Sequence, residues 1–102
     1  MDTYTEHLVH TIARDLPDWS RTNAAVFCAL LRYKLEEAGC KIRAEVVVPN
    51  RGDGRKGRID LVIDYPDRLV VEVDRKIIRR KSVFKMAQMP DYKAVSVLRV
   101  RE

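Results

Sequence analysis

The chain has 102 residues, 46% of them hydrophobic, with 20 lysines and arginines against 15 acids and a formal net charge of +5. That length suits one domain with a single core and no need of covalent staples, and no apolar run approaches the ~20 residues required to span a membrane. The stretch Met1-Asp2-Thr3-Tyr4-Thr5-Glu6 carries neither the basic region nor the apolar core of a signal peptide, so a cytoplasmic protein is expected.

A first helix is predicted from about Thr5 to Leu16, with Leu8, Ile12 and Leu16 on one stripe and Pro17 ending it. His7 and His10, one turn apart, read as an exposed face. A second helix begins near Ser20 or Thr22, either of which can cap it, and runs to Ala38 with Val26, Phe27, Leu30, Leu31 and Leu35 as its buried side. Gly39 is a natural stop. Cys28 and Cys40 form no Cys-x-x-Cys unit and read as buried or half-buried thiols. Strand one, Lys41 to Val48, is closed by Pro49-Asn50. The loop after it threads Arg51, Arg55, Lys56 and Arg58 with Gly52, Gly54 and Gly57, interrupted only by Asp53. Glycines let such a loop bend its backbone N–H groups toward a phosphate, which the guanidinium and ammonium groups neutralise.

Two alternating apolar runs follow, Arg58 to Asp64 and Leu69 to Lys76, and alternation is the mark of half-buried strands. Asp60, Asp64, Glu72 and Asp74 then share one sheet surface, with Lys76 alongside if the strand continues that far. A three-residue turn at Tyr65-Pro66-Asp67 sets Asp60 against Glu72, Val62 against Val70 and Leu61 against Val71, satisfying both faces. A slip to Pro66-Asp67-Arg68 keeps the parity and sets Asp60 against Asp74. Like charges directly opposed destabilise a sheet unless a cation compensates, and a bound metal would supply one.

A third helix, Ile78 to about Met89, carries a basic run and ends at Pro90, and Ala94 to Val100 is the last strand. From Arg75 to Lys85 there are six cations, Arg75, Lys76, Arg79, Arg80, Lys81 and Lys85, and no acid. The two basic segments bracket the acidic hairpin, an arrangement that favours a polyanionic substrate. The element order is α-α-β-β-β-α-β.

That order after the first helix, with Asp60 followed in the next strand by Leu69-Val70-Val71 and then Glu72-Val73-Asp74, resembles the PD-(D/E)xK nuclease superfamily, which includes many restriction endonucleases, Holliday junction resolvases and repair and phage nucleases. The resemblance covers residues 20–102, with residues 1–19 as a helix appended to a single domain, 1–102. It implies an α/β, restriction endonuclease-like αβββαβ core, a central mixed sheet flanked by helices. It also implies Mg2+, with Mn2+ as substitute, and hydrolysis of phosphodiester bonds in DNA, RNA being a further possibility. The literal Pro66-Asp67 lies in the turn; the matching acid is Asp60.

Two assignments of the second motif stay open. Either Glu72 is its acid and Asp74 stands where the family has lysine, or Asp74-Arg75-Lys76 is D-x-K with Glu72 one pleat earlier. The first leaves the lysine role to Lys76 or to Lys81 or Lys85 of the third helix. The catalytic set is therefore Asp60, Glu72, Asp74 and Lys76, with metal held by Asp60, Glu72 and Asp74 and the Val73 carbonyl. The nucleic-acid contacts are Arg51, Arg55, Lys56, Arg58, Arg79, Arg80, Lys81 and Lys85. Cutting both strands of a duplex calls for a homodimer, with Trp19, Phe27 and Tyr33 as candidate contacts. The alternative is an inactive protein of the same fold that binds nucleic acid or a protein partner.

Overall fold

Apolar residues every three or four positions and end-capping side chains form the helices, and period-two runs form the strands. The computed structural model describes residues 3–16 and 24–100. Its elements are α1 (Tyr4–Asp15), α2 (Ala24–Glu37), β1 (Lys41–Val48), β2 (Gly57–Tyr65), β3 (Leu69–Asp74), α3 (Arg80–Met86) and β4 (Lys93–Leu98). The sheet order is β1-β2-β3-β4, antiparallel from β1 to β3, with β4 parallel to β3. A parallel neighbour requires a crossover, which α3 supplies. Among the described residues the fold is α/β, a four-stranded mixed sheet with three helices, in the predicted order. No helix among the described residues is long and apolar enough to cross a membrane.

Each face of the sheet has its own core. Val9 and Ala13 of α1 and Phe27, Leu31 and Leu35 of α2 pack on Leu61, Ile63, Val71, Val73, Val95 and Val97. On the other side Met86 of α3 joins Val48, Val62 and Val70. Covered on both faces and paired on both edges, β3 is buried at all six positions, Glu72 and Asp74 included.

The α1 stripe differs from the predicted one: Thr5, Val9 and Ala13 are buried, while Leu8 and Ile12 pack at the margin. A tertiary bond explains the rotation. The Asp67 carboxylate in the β2–β3 turn accepts the Thr5 hydroxyl at 2.6 Å and the Thr5 N–H at 3.2 Å, turning that face inward. Thr3 caps the helix by accepting the Glu6 N–H at 3.0 Å. Leu16 is already extended, as a residue before proline prefers.

In α2, Phe27, Leu31 and Leu35 are buried as predicted and Leu30 is partly buried, but Val26 is 45% exposed. The capping candidates Ser20 and Thr22 lie outside the described residues. Gly39, at φ +98°, ends the helix, with its own N–H donating to Glu36 and the next, from Cys40, to Leu35. Of the proposed dimer contacts, Phe27 is core, Tyr33 is exposed and Trp19 lies outside the described residues.

α3 is shorter than the predicted Ile78 to Met89. Asp74 takes the Arg79 N–H at 3.1 Å, which delays the first turn and leaves Ile77 and Ile78 in an exposed connection.

The Thr5–Asp67 contact yields a stability prediction. Asp67→Ala removes one charged acceptor from two donors and should lower unfolding free energy by about 1–2 kcal/mol in urea denaturation. Asp67→Asn should retain part of that.

Candidate functional site

The hairpin has the register predicted from parity, with Leu61 opposite Val71, Val62 opposite Val70 and Ile63 opposite Leu69. One residue beyond Leu61, side chains take over from the main-chain ladder. The Asp60 N–H donates to Glu72 Oε2 at 2.8 Å, and the Val73 N–H donates to Asp60 Oδ2 at 2.7 Å. Each carboxylate thus binds the other strand's backbone, and the two acids are brought together where β2 and β3 part.

Burial separates their environments. Glu72 is 1% exposed, and its Oε1 is buried without a hydrogen bond of good geometry; its partner there is the Lys85 ammonium of α3, which forms an ion pair with it. Lys85 also donates to the Arg58 carbonyl at 2.8 Å, so the ammonium is held between β2 and β3. Burial, then a hydrogen bond with Asp60 and its charge, push the Glu72 carboxyl up to about 7, with Lys85 pulling the other way. Asp60 is half-buried and lines a pocket of about 590 Å3 on the α2 side with Cys28, Tyr33 and Glu45. Burial and the charges of Asp60 and Glu72 push the Cys28 thiol up to about 12, so it is protonated at neutral pH and offers no thiolate.

The four acids of the predicted cluster divide among three tasks. Asp64 accepts from Arg43 Nε at 2.8 Å and from the Tyr92 hydroxyl, and these bonds, Arg43 first, hold its carboxyl below the usual range. Asp74, 1% exposed, accepts Arg79 Nε at 2.7 Å and the Ser82 hydroxyl at 2.9 Å on one oxygen and the Arg79 N–H on the other. Both its oxygens are used in joining β3 to α3, which sets it apart from the Asp60–Glu72 pair. Lys76 lies exposed in the connection after β3, two residues past the strand's last residue. The lysine on the acid pair is Lys85.

The basic segments, separate in sequence, converge. Arg51, Lys56, Arg58, Arg79, Lys81 and Lys85 line one pocket of about 350 Å3 with Gly57 and, among the described residues, no acid. Arg80 lines the neighbouring groove, and Arg55 is exposed on the loop. Gly57 matters for space, since a Cβ there would lie 2.7 Å from Lys85 Cδ and 2.8 Å from Arg51 Cβ. The loop's backbone does not serve as predicted. Asn50 Oδ1 already accepts the N–H of Gly52 at 2.7 Å and of Gly54 at 3.1 Å, which leaves the loop's side chains for any anion contact. Gln88 ties the loop to α3, accepting the Asn50 N–H at 3.0 Å and donating to the Asn50 carbonyl.

Neither a family model, nor a curated protein, nor a solved structure matches the chain.

One residue at the site carried no signal in the sequence. Glu45 has φ +53°, a conformation costly for a side chain of its type, at the β1 position between the Ala44–Leu61 and Val46–Ile59 pairs. It therefore stands across from Asp60 and shares its pocket. Among the described residues no group of three or more His, Cys, Asp or Glu is arranged to hold a metal. The donor set at the pair is two carboxylates, one with a buried oxygen lacking a well-formed hydrogen bond. Hard oxygen donors of this kind suit magnesium, which binds through one or two carboxylates and keeps several waters.

The raised Glu72 pKa fixes the sign of a pH effect. A carboxyl whose folded pKa exceeds its unfolded value contributes stability that is full below the unfolded pKa and is lost as pH rises through the folded one. In EDTA, stability should therefore decline between about pH 4.5 and about pH 7 through this group. Glu72→Gln should flatten that window in urea titrations.

Proposed function

We propose that the protein is a metal-dependent nuclease that hydrolyses phosphodiester bonds in nucleic acid, DNA first, on a PD-(D/E)xK-like αβββαβ core formed by α2, β1, β2, β3, α3 and β4. The observation that carries this reading is the Lys85 ammonium, which rests on Glu72 beside Asp60 and at the same time lines the basic pocket. Glu72, its lysine and the basic pocket are thereby contiguous, with Asp60 bonded beside them and opening on the α2 side. In this reading Glu72 is the motif's acid and Lys85, from the following helix, takes the lysine role that Asp74 cannot.

Asp60 and Glu72 would hold the ion. A bound Mg2+, or Mn2+ in its place, supplies a lowered pKa for a water and offsets charge on the phosphorane. The residues of the chain do the rest. Arg51, Lys56, Arg58 and Lys81 neutralise the phosphates and align the strand, a positioning effect that makes hydrolysis effectively unimolecular. Lys85 favours the ionised form of Glu72 against the effect of burial and would place a positive charge on the phosphate side of that acid. Asp74 sets α3, and so Lys85, through Arg79 and Ser82.

A second reading, a nucleic-acid-binding protein without catalysis, draws on the same ion pair, because Lys85 already compensates the acids. Cleavage assays in magnesium decide between them. Asp60→Ala and Lys85→Met should each lower the cleavage rate at least about 100-fold with binding retained. Gly57→Ala, which crowds Lys85 from its place, should lower the rate with a smaller effect on affinity. If the parent protein binds DNA but leaves it uncut in both magnesium and manganese, or Asp60→Ala cuts as fast as the parent, the binding-only reading replaces the nuclease.

A further inference from the structure

Beside the basic pocket lies a groove of about 700 Å3 formed by Ile78, Val83, Phe84 and Ala87 with Arg80 and Lys81. It shares Arg51 and Lys81 with the pocket, so the two are continuous. The apolar members are uncovered: Ile78 is 52% exposed, Val83 53% and Phe84 47%. Phe84 is backed by the glycine loop, for a Cβ added at Gly52 would lie 3.7 Å from its Cγ. Large apolar side chains grouped on a small domain's surface mark a binding site.

The charges around the groove select its occupant. Arg51, Arg80 and Lys81 border it, and the one acid there among the described residues, Asp53, is held by Arg51 at 3.0 Å. A second copy of this chain laid on the groove would bring these cations against their own equivalents, so self-association is disfavoured. A strand with a flat apolar face and a regular line of negative charge matches both halves. Paired bases are stacked inside a duplex and cannot reach Phe84, whereas unpaired bases can.

We infer that the groove binds the unpaired bases of a single-stranded nucleic acid, with a base stacked on Phe84 and the adjoining phosphates in the Arg51–Lys81–Lys85 pocket. This rests on the nuclease reading for its substrate class and narrows it: the strand presented to Asp60 and Glu72 is single-stranded or locally unpaired.

The test is a binding measurement in EDTA, so cleavage does not enter. Fluorescence anisotropy is recorded with labelled short oligothymidylate, with an abasic strand of equal length and with a duplex. The parent should bind oligothymidylate more tightly than the abasic strand by about 5- to 150-fold, the range of one aromatic–base stack. Phe84→Ala should lose that factor on oligothymidylate and converge on the abasic value, while Phe84→Tyr, which keeps a ring, should hold it. Circular dichroism and thermal melts establish that the variants are folded. The inference is overturned if Phe84→Ala weakens all three ligands equally, or if the abasic strand binds the parent as well as oligothymidylate does; duplex cleavage in magnesium would then leave the nuclease reading standing. Binding of polyglutamate or anionic vesicles with no binding of any oligonucleotide overturns both.

Discussion

Two carboxylates at one register, one of them buried, need a positive charge, and the arrangement of the molecule follows from how that charge is delivered. Removing an ionised carboxylate from water without a partner costs several kcal/mol or shifts its pKa until it is neutral. Here both responses occur together, the Glu72 carboxyl rising to about 7 while Lys85 reaches across from α3. For the ammonium to arrive, α3 must sit close to β2. Asp74 supplies the start of the helix, through Arg79 and Ser82, and Gly57 supplies the absence of a side chain under Lys85. The acid that resembles a catalytic group by position is thus a structural support for the lysine that touches the pair.

The basic loop is organised by the same helix. Gln88, just past the end of α3, binds both polar backbone groups of Asn50, and Asn50 in turn fastens Gly52 and Gly54. A loop that composition describes as flexible is pinned at its base by side-chain amides. Its guanidinium and ammonium groups are consequently held beside those of α3, which is why six cations from two distant segments line one pocket. Of these, Arg51, Arg79 and Lys85 already have acidic partners in Asp53, Asp74 and Glu72. The opposed acids hold the cations in place against mutual repulsion and leave a net positive surface.

Much of the fold was legible because it rests on parity and periodicity. The pairing of Ile63 with Leu69 and Leu61 with Val71 was required by both faces of the hairpin, so the meeting of Asp60 and Glu72 could be read from spacing alone. Strand β1 matched residue for residue, since Pro49 and Gly39 bound it. What sequence could not reveal depended on contacts between distant segments. Thr5 turns inward because of Asp67, sixty-two residues away, which rotates the α1 stripe off Leu8 and Ile12. Alternation placed Asp60, Asp64, Glu72 and Asp74 on one surface, but Asp60 opens into the α2-side pocket, and alternation says nothing of which cation each of the others meets: Arg43, Arg79 and Lys85 are assigned only by the packing. The positive φ of Glu45 had no local signal, being a conformation its residue type disfavours.

The charge of Glu72 is met by a proton and by Lys85, and the divalent ion of the proposed function would act on the same carboxylate. Whatever binds the ionised form lowers the pKa, and whatever raises the pKa weakens binding to it, by reciprocal linkage. With the carboxyl near 7, a cation arriving at the pair at neutral pH displaces a proton from part of the population and competes with the ammonium in the rest. An ion at the pair would weaken the hold of Glu72 on Lys85, which also lines the basic pocket. In the proposed function the same lysine would then neutralise the acid in the free protein and a phosphate in the loaded one.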